Sequence, residues 1–125
     1  MAKLFLILGS IAAGLAVAIG AFGAHALNSI LEATNRLQTF ETGVKYQFYH
    51  ALALLFLGLL MLRFEHKMFV WSGYGFLAGI ILFSGSLYIL SLSGITKWGA
   101  VTPLGGLAFI FGWITLVIGI IKAVN

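Results

Sequence analysis

The chain has 125 residues, 62% of them hydrophobic and 8% charged, with a formal charge of +4 and no cysteine. Soluble domains carry about 25% charged residues, and a chain this short has too little interior to hide such an apolar excess from water. The basic residues Lys3, Arg36, Lys45, Arg63, Lys67, Lys97 and Lys122 are dispersed at or near the edges of apolar runs, which excludes the basic patch of a nucleic-acid binder and suits lipid headgroups; the absence of cysteine excludes disulfides and thiolate metal sites.

Four apolar runs follow in order, residues 4–27, 44–62, 68–90 and 103–124. Each has roughly the 20 residues that cross a hydrocarbon core at 1.5 Å per residue. The runs are continuous, whereas barrel strands alternate apolar and polar positions. The first run resembles a signal peptide, with Lys3 ahead of it and Ala24-His25-Ala26 in the place of a cleavage site. Its apolar length exceeds the roughly 7–15 residues of a signal core, so it is expected to remain as a span.

The first connection, residues 28–43, is polar with Ile30, Leu31, Leu37 and Phe40 interspersed. It predicts either a short interfacial helix or an extension of the second span into water. Residues 63–67 form a tight charged turn in which His66 is expected to be solvated. The third connection, residues 91–100, carries Gly94 and Gly99 as breakers. Thr102-Pro103 then reads as an N-cap followed by proline at the first helical position. The expected fold is one all-α domain over residues 1–125, an integral membrane four-helix bundle running up-down-up-down.

Both termini then share one side. Lys3, Arg63, Lys67 and Lys122 lie there, against Arg36, Lys45 and Lys97 opposite, and four against three favours cytoplasmic termini in a cell membrane, the inner membrane of a bacterium. Trp98 and Trp71 are expected near the two interfaces, with Trp113 packed mid-helix. Ala12, Ala16, Gly20 and Ala24 recur in the first span, Gly75 and Gly79 in the third, and Gly105, Gly112 and Gly119 in the fourth. Such stripes let backbones approach closely. Packing within the chain is the expected use, ahead of a homo-oligomer interface or a membrane-protein partner.

Polar residues inside spans are costly and often functional. Here they gather in one membrane half: His25 at the end of the first span, Tyr46, Gln47 and His50 at the start of the second, Ser84, Tyr88 and Ser91 in the last part of the third, and Thr102 at the head of the fourth. At 100° per residue Tyr46 and Gln47 fall near His50, while Ser84, Tyr88 and Ser91 share a stripe from which Ser86 points away. These residues define a candidate polar pocket, or a hydrogen-bond network that only holds helices together. His25 and His50 are candidate metal ligands, but two imidazoles fall short of a four-ligand zinc site, so no metal and no cofactor is expected. Enzyme templates fail. The chain has no aspartate, and no glutamate lies inside an apolar run, which removes paired-carboxylate chemistry; the common nucleophile and phosphate-loop motifs are absent.

The segments Gly20-Ala21-Phe22-Gly23-Ala24-His25-Ala26-Leu27, Tyr46-Gln47 with Tyr49-His50-Ala51-Leu52-Ala53, Leu82-Phe83-Ser84-Gly85-Ser86-Leu87-Tyr88 and Thr102-Pro103-Leu104-Gly105-Gly106 resemble the motifs of the small membrane proteins called domain of unknown function 423. The resemblance covers nearly the whole chain. It implies a bacterial inner-membrane protein of four helices, with an animal relative called transmembrane protein 256, and it implies no catalytic residue. The functional expectation is a structural, interaction or membrane-integrity protein in contact with membrane lipids. The alternative is a small binding or transport module whose polar pocket would serve a proton relay, a lipid headgroup, a small ligand or a metal.

Overall fold

The structure, a computed structural model, describes residues 1–125. It contains helices α1 (Ala2–His25), α2 (Asn28–Ala33), α3 (Leu37–Met61), α4 (Lys67–Gly79), α5 (Gly85–Ser93) and α6 (Thr102–Ala123). A π-helical turn, Ile80–Ser84, joins α4 to α5, and a 3₁₀ turn, Thr96–Ala100, precedes α6. Four helical units are long and apolar enough to cross a membrane: α1, α3, the continuous α4–α5 rod and the last unit, which comprises the 3₁₀ turn with α6. The all-α bundle expected from hydrophobic run length is the fold observed.

The polar first connection takes both of the forms its pattern allows. It builds the short α2, turns at Asn35 with φ 58°, a value that asparagine tolerates better than most residues, and then starts α3 at Leu37. The second span is therefore longer than its apolar run, and His50 lies near the middle of α3 rather than at its opening. The third span is also longer than expected and is not a uniform α-helix, since the π turn interrupts it at Ile80–Ser84. One capping expectation is corrected, and one cap was not foreseen. Thr102 is already helical, Val101 stands at the N-cap without a side-chain bond, and proline follows in the first turn. His66 is the N-cap of α4, where its Nδ1 accepts from the Met68 N–H at 3.1 Å.

Packing is pairwise: α1 lies along α3, α4 lies along α6, and α3 joins the two pairs through α4, the π turn and α5. Phe5, Leu54, Leu57, Phe69 and Phe76 form the fully buried core. Large apolar residues such as Ile11, Leu15, Phe56, Ile81 and Ile121 face outward, as lipid rather than water requires.

The small-residue stripes sit inside the chain. A Cβ on Gly75 would stand 2.8 Å from the Gly112 nitrogen and 2.9 Å from the Ala108 carbonyl oxygen, so α4 and α6 meet backbone to backbone there. Gly79 receives the Phe109 ring, Gly105 the backbone at Phe83, Gly112 the Phe76 ring and Gly119 the Phe69 ring. On α1, Ala16 is buried, while Gly20 faces Val44. Ala24 is exposed, and the close contacts of α1 are made by Gly9 against Ala51 and Leu54 and by Gly23 against Phe40.

Candidate functional site

The polar residues separate into several small interhelical networks. In the first, Gln47 of α3 bridges three helices. Its Nε2 donates to the Ala12 carbonyl of α1 at 2.8 Å, and its Oε1 accepts from the Tyr88 hydroxyl of α5 at 2.6 Å. The Ala12 carbonyl already serves its own helix, and an amide reaching it from a neighbour fixes the register of α1 on α3. One turn nearer the α3 N-terminus, Ser84 donates to the Gly43 carbonyl at 2.7 Å. Gly43 leaves room for this contact; a Cβ there would stand 2.9 Å from the Tyr88 ring.

The second network centres on His50, which is 5% exposed. Its Nδ1 lies 2.8 Å from the Tyr46 carbonyl oxygen, and its Nε2 lies 3.0 Å from the Trp113 indole nitrogen. An indole N–H can only donate and a carbonyl can only accept. The imidazole that fits both is neutral, with its proton on Nδ1, donating to Tyr46 and accepting from Trp113. The ring stacks on Phe109 at 3.5 Å between centroids and is flanked by Phe76 and Trp113. Tyr46 packs against Phe83 and Phe109 at the outer edge of this aromatic seam.

Two smaller bridges involve the ends of α5. Ser86 is buried and meets the Thr102 hydroxyl at 2.6 Å, tying α5 to the start of α6. Arg36 donates through Nε to the Ser91 carbonyl at 2.8 Å, which places a cation at the C-terminus of α5, where the helix dipole favours one. Gly94 follows with φ 73°, a left-handed C-cap, and its Cα side lies against the same guanidinium.

Several sequence-level groupings are thereby revised. Gln47 faces α1 and α5, whereas Tyr46 and His50 face α6, so the three do not line one pocket. Ser86 does point away from the Ser84–Tyr88–Ser91 stripe, and what it points at is Thr102. His25 and His50 do not meet. Gly9 of α1 lies against Ala51, beside His50, and His25 is roughly four and a half turns further along α1, about 24 Å at 1.5 Å per residue. Both nitrogens of His50 are engaged, His25 is exposed at its helix end, and the chain contains no group of three or more His, Cys, Asp or Glu placed to hold a metal ion.

Three participants were missed from sequence. Trp113 looked like a packing residue because an indole in an apolar run gives no sign of its partner. Arg36 looked like one more headgroup-facing cation at the edge of a span. Ser72, which donates to the Gly112 carbonyl at 2.7 Å, lies outside the polar cluster. Its position three residues before Gly75 was the available signal, since a backbone close enough to need glycine is close enough to accept a serine hydrogen bond.

An apolar exterior around helices joined by hydrogen bonds defines a small polytopic α-helical membrane protein. The family model described as protein of unknown function (DUF423) matches residues 19–106, and the chain belongs to that family. It is 49% identical over 121 residues to the UPF0382 membrane protein YwdK of Bacillus subtilis (strain 168), an alignment covering 96% of this chain and 98% of the relative. It is 47% identical over 120 residues to the UPF0382 membrane protein SAB0533 of Staphylococcus aureus (strain bovine RF122 / ET3-1), with 96% and 97% covered. It is 41% identical over 120 residues to the UPF0382 inner membrane protein YgdD of Escherichia coli (strain K12), with 96% and 91% covered. No solved structure matches the chain.

Proposed function

We propose that the protein is a structural and interaction element of the cell membrane, and that its polar residues hold four spans in one arrangement instead of serving a ligand. The observation that supports this most directly is that every buried side-chain nitrogen and oxygen has a hydrogen-bond partner within the chain. Several of these bonds run from helix to helix, with Gln47, Ser72, Ser84, Ser86 and His50 each joining two or more elements. The close-approach glycines of α4 and α6 are covered by the chain's own aromatic rings and backbone, so association with a second copy or another membrane protein would use the outer, lipid-facing surface.

The test is complementation of a deletion strain with Gln47→Leu, Ser86→Ala and Trp113→Phe. Thermal stability in detergent, abundance in the membrane, and growth and membrane potential are read together. On the structural reading, stability and abundance fall together and any phenotype follows abundance. A variant that keeps wild-type stability and abundance yet loses the phenotype would show that the network does chemistry. Chemical crosslinking in native membranes tests the interaction half of the proposal; a strictly monomeric species with no neighbour would count against it.

The same proposal places both termini in the cytoplasm, on the four-against-three distribution of lysine and arginine. Ser29, Glu65 and Thr96 are exposed in the three connections. Thr96 is preferred to Gly94, where a side chain would be strained at φ 73° and crowded by Arg36. Single cysteines at Ser29 and Thr96 should react with an impermeant thiol reagent in intact cells, and one at Glu65 should not. The reverse pattern inverts the orientation.

A further inference from the structure

Outside the interhelical networks, a continuous surface groove runs along the α1–α3 seam. Its middle part, about 280 Å³, lies between Gly20, Gly23 and Ala24 of α1 and Phe40, Glu41 and Lys45 of α3. Towards the bundle centre it continues over Ala16, Val17 and Ala21 to Phe48 and Tyr49, a further recess of about 360 Å³. Towards the helix ends it opens into a polar recess of about 510 Å³ lined by Glu32, Asn35, Gln38 and Glu41. Lys45 lines all three parts, standing where the polar mouth meets the apolar channel.

These charges lie at the end of the span. Val44, beside Lys45, lies against Gly20, and Phe40, beside Glu41, against Gly23, so both flank the last turns of α1, whose residues 20–24 are only Gly, Ala and Phe. Lys45 and Glu41 are opposite in sign, one helical turn apart and exposed, where the apolar run meets the polar connection, the level of lipid headgroups. A ligand with a charged head and an apolar tail would meet both charges and fill the channel.

The geometry points to a phospholipid of the phosphatidylethanolamine class as the occupant, with its phosphate at Lys45, its ammonium at Glu41 and Glu32, and one acyl chain in the channel over Ala21 and Ala16. The charge pattern selects this headgroup. Two carboxylates beside one lysine repel a lipid whose head is only anionic. A quaternary ammonium has no N–H to donate, whereas a primary ammonium makes charge-assisted hydrogen bonds to carboxylates. The small α1 residues keep the channel floor flat, so the chain packs against backbone. This site shares no member with the hydrogen-bonded network and does not depend on that network's role.

Native mass spectrometry of the full chain, delipidated in detergent and offered ethanolamine, glycerol and choline phospholipids with the same acyl chains, is the test. The ethanolamine lipid should be retained about tenfold better than the other two, the equivalent of roughly one charge-assisted hydrogen bond. Glu41→Gln should abolish that preference while leaving phosphate-dependent retention, and Lys45→Gln should weaken all three lipids. Ala24→Leu, at an exposed position, should block the channel for all three without lowering thermal stability. Should Glu41→Gln fail to fold, Glu32→Gln on the exposed face of α2 carries the same expectation. Equal retention of the three lipids by the wild type overturns the proposal. So does a dimer that Ala24→Leu converts to monomer, because the groove would then seat a second copy.

Discussion

Replacing Gly75 by alanine adds one methyl group where the structure has no slack. That Cβ would lie 2.8 Å from the Gly112 nitrogen and 2.9 Å from the Ala108 oxygen. Heavy atoms rest at about 3.5–4.0 Å, so α4 and α6 must part by about 0.7 Å. Both obstructing atoms are backbone, and no side-chain rotation relieves the contact. The opening also stretches the Ser72–Gly112 hydrogen bond, now 2.7 Å, in the same seam. Overpacking of this kind costs about 1–3 kcal/mol, and an interhelical hydrogen bond in a membrane contributes about 0.6 kcal/mol. The better helix propensity of alanine offsets about 0.5–1 kcal/mol of this, so Gly75→Ala should destabilise the bundle by about 1–3 kcal/mol. Gly14→Ala is the control. Nothing lies within 4 Å of a Cβ there, and alanine is the better helix former by about 0.5–1 kcal/mol, so this variant should be neutral or slightly stabilised. The assay is reversible unfolding in mixed micelles of mild and denaturing detergent, followed by far-ultraviolet circular dichroism. A Gly75→Ala protein within about 0.5 kcal/mol of wild type, or a Gly14→Ala protein as damaged as Gly75→Ala, would refute the close-approach argument.

Other outcomes follow from the networks. Gln47→Leu strands both the Tyr88 hydroxyl and the extra acceptor capacity at Ala12, and should cost about 1–3 kcal/mol; adding Tyr88→Phe should restore part of that loss, so the double variant is better than the sum of the singles. A cycle of His50→Phe and Trp113→Phe should give a coupling of about 0.6 and at most about 1.7 kcal/mol, and His50→Phe should move the indole N–H resonance of Trp113; an unmoved resonance would contradict the hydrogen bond. Arg36→Ala should fray the C-terminus of α5 at a cost of about 0.3–1 kcal/mol, seen as faster amide exchange at Leu92 to Ile95 with the core amides unchanged.

Run length and charge placement determined that this chain crosses a membrane with four helices, because about 20 consecutive apolar residues satisfy one requirement that lipid imposes on every span. They also determined which residue types could bridge helices, since so few polar side chains lie in the runs. The partners were decided by tertiary structure. Tyr46, Gln47 and His50 are near one another on a helical wheel, yet the position of α6 on one side and of α1 with α5 on the other draws them apart. The longer α3 carries His50 to the bundle centre, within reach of Trp113 and far from His25. The glycine stripes were legible as close-approach sites, but whether the approaching surface belonged to the same chain depended on the rings of Phe69, Phe76 and Phe109 filling them. Helical periodicity is a local property of one segment and survives in the sequence. A hydrogen bond between residues 63 positions apart depends on the lengths, crossing geometry and register of two helices together, and those are set only when the whole bundle packs.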